Sequence, residues 1–356
     1  MSKIKVAVIG VGSISESHIA GYKKDPNTEL YAFCDINPER LQYMGKKHGI
    51  TRLYTDEAQM LKELPELDAV SVCTWNSAHA PCTIMALNAG KHVLCEKPMA
   101  LNVEEAEAMK AAAEKNGKLL MIAFVRRFGK DCEIVKDMAE SGTLGEVYYA
   151  KAINLRSNGN PGGWFGEKAR SGGGPLIDLG VHSIDLVRYL LGKPNVASVY
   201  GVTFHKLGNR SDIKTPKPYV SASATDHDIC DCEDFATACI RFDNGSVLNI
   251  EMSFSLNIAQ PDSYVELFGT KAGIKLADSG LELLSVVNGY LFTSKLLGKT
   301  GFSMDAFNDE ITHFVDCVRG TVAECRNPAE DGVELMRILT AIYRSAETGH
   351  EVVIER

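Results

Sequence analysis

The chain lacks an excess of basic residues, a long apolar stretch and closely spaced cysteine pairs, and each absence excludes a class of protein. Its 38 Lys and Arg against 46 Asp and Glu give a net charge of -8, so no basic surface is available for a nucleic acid backbone. No run approaches the roughly 20 apolar residues that span a bilayer, and the N-terminus leads directly into a strand pattern rather than a secretory segment. We therefore expect a cytoplasmic protein without nucleic acid or membrane partners.

The ten cysteines form no recognisable disulfide or ligand framework. No two have the Cys-x-x-Cys spacing of zinc and redox sites. Cys34, Cys73 and Cys95 end apolar runs, where a thiol behaves as a small core hydrophobe. The sequence therefore predicts no metal site, although a site built from carboxylate and histidine ligands would leave no such spacing signature.

The composition fits an ordinary globular protein, and 356 residues favour two domains. Over residues 1–124, short apolar runs alternate with helical patterns, which is the signature of βαβ units and a parallel sheet buried on both faces. We expect this segment to be a doubly wound Rossmann domain of the α/β class. The predicted strands are Ile4–Ile9, Leu30–Cys34, Ala69–Cys73, His92–Cys95 and Leu119–Phe124.

From residue 125 onwards, alternating apolar and polar residues predict antiparallel strands. Asp243-Asn244-Gly245 between two of them is a strong hairpin signal, and the helical patterns Asp305–Val318 and Asp331–Glu347 finish the chain. We expect residues 125–356 to form an α+β domain with an open, mostly antiparallel sheet. The predicted strands are Val147–Ile153, Val199–Phe204, Phe235–Phe242, Val247–Phe254, Tyr264–Phe268 and Gly273–Leu276.

A glycine turn lies between the first strand pattern and the first helix pattern. Gly10 permits the tight turn, and Gly12 leaves the backbone open to a pyrophosphate at the helix N-terminus. Ser15 stands where the dinucleotide-binding fingerprint usually has its third glycine, and a small residue still allows close helix packing. We expect the turn and the helix start to bind the cofactor through Gly10, Gly12, Ser13 and Ile14.

An acidic residue closes the second strand pattern. Asp35 follows Gly10 by 25 positions, where a carboxylate can accept hydrogen bonds from the ribose hydroxyls of NAD. Ile36 and Asn37 come next, so no arginine follows to receive a 2′-phosphate, and NAD is favoured over NADP. The alternative is that Asp35 only caps the next helix, but the glycine turn and the strand order favour the cofactor role.

Lys97 follows the strand pattern His92–Cys95, within Glu96-Lys97-Pro98. Ligands bind outside the carboxyl ends of the strands in doubly wound sheets, so this lysine is expected to face the ligand. Its ammonium could hydrogen-bond a substrate hydroxyl and stabilise the alkoxide that forms as hydride leaves. The alternative is an ordinary surface lysine, and the position at the sheet edge favours the functional interpretation.

Asp178 and His182 follow a run of three glycines, Gly172–Gly174. Their spacing of four residues places them on one face of a helix. An imidazole beside a carboxylate is a plausible general base for an alcohol. The alternative is a buried pair that only satisfies itself. We favour the catalytic interpretation because three consecutive glycines suggest a backbone that a ligand approaches closely.

These residues resemble the Gfo/Idh/MocA family of oxidoreductases over nearly the whole chain. The resemblance implies a Rossmann domain followed by an α/β domain, commonly in homodimers or homotetramers. It also implies a catalytic group of Lys97, Asp178 and His182. The motifs that carry it are Gly10-x-Gly12, Asn76-x-x-His79, Ala89-Gly90-Lys91-His92-Val93, Glu96-Lys97-Pro98, Arg127-Phe128, Gly145-x-Val147 and Asp178-x-Gly180-x-His182-x-x-Asp185. The cofactor lining that it implies is Thr74, Trp75, Asn76, His79, Glu96 and Arg127, with Trp75 standing beside Asn76 where the family commonly has proline.

The substrate contacts are predicted from a loop that resembles the substrate-closing loop of some relatives. Trp164 could cover a sugar face or the nicotinamide, and Arg170 could donate to hydroxyls or a carboxylate. A packing aromatic and a solvated cation are equally good interpretations of these two side chains. With Lys97, Asp178 and His182, they form the predicted substrate site.

The predicted function is the NAD(P)-dependent transfer of a hydride between nicotinamide and a secondary alcohol carbon of a sugar, cyclitol or glycoside. One alternative is a glycosidase that oxidises the sugar transiently and recycles NAD in place. Such relatives often carry Gly-Gly-His, whereas this chain has Gly180-Val181-His182. The other alternative is a regulator that senses a sugar or dinucleotide without catalysis, although such a protein need not keep the lysine and the histidine.

Overall fold

The computed structural model describes residues 3–210, 212–217, 219–297 and 301–354. They divide into two compact units. Unit 1 comprises the residues up to Val125 together with Met304–Met336, and unit 2 comprises Arg126–Ser303 together with the residues from Arg337 onwards. The sequence predicts a single domain boundary, between residues 124 and 125. In the structure, the later segment Met304–Met336 also belongs to the first unit. No helix in the described ranges has the length and apolar character needed to cross a membrane.

Unit 1 contains the predicted Rossmann sheet. Its six strands are all parallel and lie in the order β3-β2-β1-β4-β5-β6. The order reverses between β1 and β4, which is the topological switch point where doubly wound folds bind ligands. The strands are β1 (Ile4–Ile9), β2 (Thr28–Cys34), β3 (Leu53–Tyr54), β4 (Ala69–Val72), β5 (His92–Cys95) and β6 (Leu120–Ile122).

Local signals determine where the helices begin and end. The Asn37 side chain accepts a hydrogen bond from the Arg40 amide at 3.0 Å, and Pro38 occupies the first turn. Gly117 ends another helix in the left-handed conformation. The helices of the described ranges are α1 (Ser15–Lys24), α2 (Pro38–His48), α3 (Glu57–Glu63), α4 (His79–Asn88), α5 (Val103–Asn116), α6 (Lys130–Glu140), α7 (Lys168–Ser171), α8 (Val181–Leu190), α9 (Asp305–Arg319) and α10 (Ala329–Thr348).

The returning segment of unit 1 packs closely on the sheet and its helices. Gly21 of α1 lies against α9, where a Cβ at Gly21 would stand 2.7 Å from Ile311 Cγ1. The amide of Ile122 in β6 donates to the Asn327 carbonyl at 3.0 Å. Helix α9 and the start of α10 therefore belong to the same packed structure as the Rossmann strands.

Glu57 at the start of α3 makes unit 1 sensitive to pH. Burial raises the pKa of Glu57 to about 7, and its Oε1 has no hydrogen-bond partner among the described residues. The folded state therefore binds a proton more tightly than the unfolded state, so stability is lost as the pH rises from about 4.5 through about 7. We expect the free energy of unfolding of wild type, relative to Glu57→Gln, to fall by roughly 2–3 kcal/mol between pH 5 and pH 8. Urea unfolding of both proteins at each pH measures this, and a difference independent of pH would contradict it.

Unit 2 contains a nine-stranded sheet in the order β14-β13-β12-β11-β7-β10-β9-β8-β15. Neighbouring strands are antiparallel except β7 and β10, which are parallel. The mostly antiparallel prediction and the hairpin at Asp243–Gly245 are confirmed. The strands are β7 (Val147–Leu155), β8 (Val196–Phe204), β9 (Phe235–Phe242), β10 (Val247–Ser253), β11 (Asp262–Gly269), β12 (Ala272–Ala277), β13 (Gly280–Val287), β14 (Tyr290–Lys295) and β15 (Val352–Val353).

Candidate active site

The glycine turn after β1 has the geometry that its two glycines predict. Gly10 has a φ of +82°, and a Cβ there would lie 2.7 Å from the Cys73 carbonyl oxygen. A side chain at this position is therefore excluded by the backbone that follows β4. Gly12 differs, because a Cβ there would meet nothing within 4 Å. The Ser15 hydroxyl is buried and donates to the Gly12 carbonyl at 2.7 Å, so serine fits the small position of the fingerprint.

The turn presents backbone donors at the N-terminus of α1. The amides of Gly12, Ser13 and Ile14 make no hydrogen bond within the described part of the chain. Amides in the first turn of a helix lack intrahelical partners and attract anions. The open position at Gly12 and these donors together fit a pyrophosphate. Unit 1 therefore has the means to hold the diphosphate of a dinucleotide without a basic side chain.

Asp35 holds the turn in place from the end of β2. Its Oδ2 accepts from the Val11 amide at 2.8 Å, and its Oδ1 accepts from the Asn37 amide at 2.8 Å. The side chain is half-buried, which leaves part of the carboxylate accessible to ribose hydroxyls. Arg40, one turn into α2, donates through Nε to the Val11 carbonyl at 2.8 Å. This arginine lies five positions after Asp35, beyond Ile36 and Asn37, the two residues from which the sequence favours NAD.

Lys97 lies beyond the carboxyl end of β5, beside a buried carboxylate. Glu96 Oε1 is 2.9 Å from His18 Nε2, and Glu96 Oε2 accepts from the Lys97 amide at 3.1 Å. Burial alone would raise the pKa of Glu96, but the hydrogen bond and charge of His18, with the Lys97 charge, bring this pKa below its ordinary value. Glu96 is therefore an ionised group that fixes the backbone of Lys97. The peptide between Lys97 and Pro98 is cis.

His79 connects the segments that follow β4 and β5. Its ring is buried, with Nδ1 at 2.7 Å from the Pro98 carbonyl and Nε2 at 3.2 Å from the Thr74 carbonyl. Burial lowers the pKa of His79, so the neutral ring donates through Nδ1 at the shorter distance. Unit 1 thus brings together five predicted cofactor contacts at the carboxyl ends of two adjacent strands: Thr74, Trp75, Asn76, His79 and Glu96.

In unit 2, Asp178 lies in a π-helical segment, Leu176–Gly180, which continues into α8 with His182. Both side chains are half-buried, whereas most of their neighbours in this segment are buried. Single π-helical turns are rare and occur frequently at functional sites. A π-helical turn is wider than an α-helical turn but still places residues four apart near one face. The pairing of Asp178 with His182 therefore stays a prediction, and this backbone is consistent with it.

The glycine run before Asp178 has a different cause from the one the sequence suggested. A Cβ at Gly173 would lie 1.9 Å from the Tyr343 hydroxyl, and one at Gly174 would lie 2.1 Å from the Glu233 carbonyl oxygen. Protein atoms therefore explain these two glycines without a ligand. The glycine run does not, by itself, argue for the catalytic interpretation.

Glu233 anchors the start of the segment that carries Asp178. Its Oε2 accepts from the Gly174 amide at 2.9 Å, and its Oε1 accepts from the Leu176 amide at 3.2 Å and from the Tyr343 hydroxyl at 2.9 Å. The three hydrogen bonds lower the pKa of Glu233, but burial has the larger effect and raises this pKa above its ordinary value. Sequence reasoning missed this residue because it lies 55 positions after Asp178 and carries no motif.

Arg127, predicted to line the cofactor, is fully buried in an ion pair. Its Nε donates to Asp185 Oδ2 at 3.0 Å and its Nη2 to Asp185 Oδ1 at 2.6 Å. Its guanidinium also lies 4.7 Å from the centre of the Tyr189 ring. These contacts hold the short 3₁₀ turn Val125–Phe128 against α8. Asp185, the last acidic residue of the motif that begins at Asp178, is therefore the structural partner of Arg127.

The two predicted substrate residues lie near α7. Trp164 is half-buried and stacks on Phe165 with ring centroids 4.1 Å apart. Arg170 is exposed, and its Nε is 3.1 Å from a Glu167 carboxylate oxygen. An exposed ion pair of this kind is weak, about 0–1 kcal/mol, so a ligand could replace it.

The sequence matches known families in both parts of the chain. Residues 4–124 match the model described as an oxidoreductase family with an NAD-binding Rossmann fold. Residues 136–354 match the model described as the C-terminal alpha/beta domain of the same oxidoreductase family. The cofactor of that fold, NAD, is the one that Asp35 favoured in the sequence.

Individual relatives cover the chain almost completely. A D-glucoside 3-dehydrogenase of Escherichia coli (strain K12) is 36% identical over 99% of this chain and 97% of its own length. A myo-inositol 2-dehydrogenase of Thermotoga maritima is 25% identical over 99% of both chains. The crystal structure of an aldose-aldose oxidoreductase from Caulobacter crescentus complexed with glycerol superposes with a TM-score of 0.81 at 27% identity, over 99% of this chain and 100% of the other. The chain therefore belongs to the Gfo/Idh/MocA family of NAD-binding oxidoreductases.

Proposed function

We propose that this protein is an NAD-dependent dehydrogenase that oxidises a secondary hydroxyl of a sugar, cyclitol or glycoside. The observation that carries the proposal is the 36% identity, over 99% of the chain, to a D-glucoside 3-dehydrogenase. The half-buried Asp178 on a π-helical segment, the half-buried His182 on the helix that continues it, and the lysine at the edge of the Rossmann sheet are consistent with it. Glucosides are accordingly the first substrates to test.

The proposed cofactor contacts follow from the backbone of unit 1. Bound NAD supplies the acceptor for the hydride that leaves the carbinol carbon. The amides of Gly12, Ser13 and Ile14 would face its diphosphate, and the carboxylate of Asp35 would accept from the ribose hydroxyls. The same carboxylate would repel a 2′-phosphate, which disfavours NADP. Gly10 shapes this turn, and the remaining proposed contacts are Thr74, Trp75, Asn76 and Glu96. The predicted contacts His79 and Arg127 are both 0% exposed, so we propose that they support the site through their protein partners and do not touch the cofactor.

The proposed chemistry assigns one task to each catalytic side chain. His182 accepts the proton of the substrate hydroxyl as that carbon loses hydride. Asp178, four residues earlier, orients the imidazole and stabilises its protonated form. The ammonium of Lys97 donates a hydrogen bond to the same oxygen and stabilises the negative charge that develops there. Trp164 and Arg170 complete the proposed substrate contacts, the first by covering the sugar ring and the second by donating to its hydroxyls.

Two glycines of the turn provide a matched pair of variants. Gly12→Ala is expected to weaken NAD binding by about tenfold or more, a loss of about 1.4 kcal/mol. Its thermal stability should not change, because the added methyl meets no protein atom within 4 Å. Gly10→Ala should instead destabilise the protein, because its φ is +82° and the methyl would meet the Cys73 carbonyl. Calorimetric titration with NAD and thermal unfolding measure the two effects. Wild-type affinity in Gly12→Ala would contradict the proposed pyrophosphate site.

A substrate screen distinguishes the proposal from its alternatives. Wild-type protein is incubated with NAD or NADP and with methyl glucosides, inositols, aldoses and uronates, and both NADH and released aglycone are measured. The proposal predicts that NADH accumulates with NAD for at least one member of the panel and that NADP is inferior. Release of aglycone without net NADH would favour the glycosidase. Tight NAD binding without any turnover would favour the regulator.

We also propose a homodimer or homotetramer in the cytoplasm. None of the ten cysteines, all of which lie in described parts of the chain, forms a disulfide, as in proteins of reducing compartments. The outermost strand of the nine-stranded sheet, β14, is exposed along its whole length, with Leu291 88% and Tyr290 71% exposed. Exposed apolar side chains in a row mark contact surfaces. Leu291→Glu is expected to shift the protein to a smaller species in light scattering, whereas a monomeric wild type would contradict the assignment.

A further inference from the structure

Three potential metal ligands meet at the end of α9 in unit 1, and none of them is among the residues proposed for catalysis. His313 and Cys317 are one helical turn apart on α9, and Cys325 lies in the segment that leads to α10. All three side chains are half-buried, so an ion from solvent could reach them. Their spacing, His-x₃-Cys-x₇-Cys, is not a Cys-x-x-Cys pattern, so the group carries no metal-site signature that the sequence reveals.

The distances between the ligand atoms are close to those of a tetrahedral ion. The imidazole nitrogen and the two sulfur atoms all lie within 4.8 Å of one another, and His313 Nε2 is 3.5 Å from Cys317 Sγ. Zn–S bonds of about 2.3 Å and Zn–N bonds of about 2.0 Å separate such ligands by about 3.5 Å in a tetrahedron. One edge therefore has the required length already, and the others, at 4.8 Å or less, need a closing movement of about 1.3 Å at most.

The hydrogen bond to the histidine indicates which ring nitrogen is available. The Arg326 amide donates to His313 Nε2 at 2.9 Å, so this nitrogen carries a lone pair and not a proton. That is the form in which imidazole binds a metal. An entering ion takes the same lone pair, and the amide, which directly follows Cys325, then donates to an adjacent thiolate as an outer-shell partner.

We propose that His313, Cys317 and Cys325 form a zinc site with a fourth position open to water or another ligand. One nitrogen and two sulfur donors favour Zn²⁺ over the oxygen-seeking Mg²⁺ and Ca²⁺. The ion would join the end of α9 to the segment that pairs with β6 through Asn327. Zinc would therefore stabilise the returning segment of unit 1 and has no part in the proposed hydride transfer.

Cobalt binding to the full chain tests the site. Reduced, chelator-treated protein is titrated with Co²⁺, whose thiolate complexes absorb through sulfur-to-metal charge transfer, and then with Zn²⁺ as competitor. Wild type is expected to bind one Co²⁺ per chain with this absorption, and Zn²⁺ should abolish it and raise Tm. Cys317→Ser and Cys325→Ser should each lose at least roughly 10–100-fold in affinity. Cys239→Ser, a half-buried cysteine on β9, serves as the control and should behave as wild type.

Three results would overturn the proposal. Wild type could show no charge-transfer absorption, or both serine variants could retain it. Mass spectrometry of the protein kept in air with Zn²⁺, where dioxygen is the oxidant, could instead show that Cys317 and Cys325 form a disulfide in preference to binding the ion. Circular dichroism of each variant without metal verifies its fold, and His313→Gln, which keeps both thiols, provides a second test if a serine variant fails to fold.

Discussion

Lys97→Ala is expected to lower kcat for the oxidation of the best substrate by about 10²–10⁴-fold while the Kd for NAD stays within a few-fold of wild type. The reason is that the ammonium is proposed to stabilise charge that develops on the substrate oxygen only as hydride leaves. Its backbone is fixed by Glu96 at 3.1 Å, so loss of the side chain should not displace the segment. Steady-state kinetics and calorimetric titration with NAD measure the two quantities.

Two further variants define the role of the ammonium. Lys97→Arg keeps the positive charge but replaces a compact point charge by a planar fork, and is expected to recover only part of the activity. Lys62→Ala removes an exposed lysine from α3 of the same unit and should have no effect on kcat. Wild-type turnover in Lys97→Ala would exclude this lysine from catalysis.

Asp185→Ala is expected to destabilise the protein by about 3–5 kcal/mol, because it leaves the Arg127 guanidinium buried without its carboxylate. Arg127 is 0% and Asp185 2% exposed, and two hydrogen bonds of 3.0 and 2.6 Å join them. Urea unfolding followed by circular dichroism measures the change. A loss below about 1 kcal/mol would show that the pair is not the constraint on α8 that its burial indicates.

A double variant separates the destabilisation caused by one unpaired buried charge from the contribution of the ion pair to the free energy of unfolding. Arg127→Met with Asp185→Leu removes both charges and is expected to be more stable than Asp185→Ala alone, since apolar replacements of a buried pair are often tolerated. Glu133→Ala removes the partner of Lys130 in an exposed pair and should cost about 0–1 kcal/mol. If all three variants unfolded alike, burial would not determine the effect.

The features predicted from sequence are those that local patterns specify. The parallel strands of unit 1 are short apolar runs because both faces of the sheet are covered. Asn37 and Gly117 mark a helix start and end through hydrogen bonding and backbone conformation in their own segments. The glycine turn after β1 is also specified locally, since the positive φ at position 10 favours glycine.

The features that sequence could not reveal depend on residues far apart in the chain. Gly173 and Gly174 suggested an approaching ligand, but Tyr343 and Glu233 occupy that space. All six residues of β14 are exposed. The strand therefore lacks the alternation of buried and exposed side chains from which strands are predicted in a sequence. The carboxylate of Glu233 likewise reaches the segment of Asp178 only through the fold.

In the proposed reaction, hydride leaves a carbinol carbon of the substrate for NAD. The most direct test uses the best substrate of the panel, deuterated in turn at each carbon that bears a secondary hydroxyl, in a single turnover with wild-type protein and NAD. Mass spectrometry is expected to find one deuterium in the reduced nicotinamide for one labelled position only, with a slower turnover for that substrate. Turnover that leaves the nicotinamide without deuterium, whichever carbon carries the label, would contradict it.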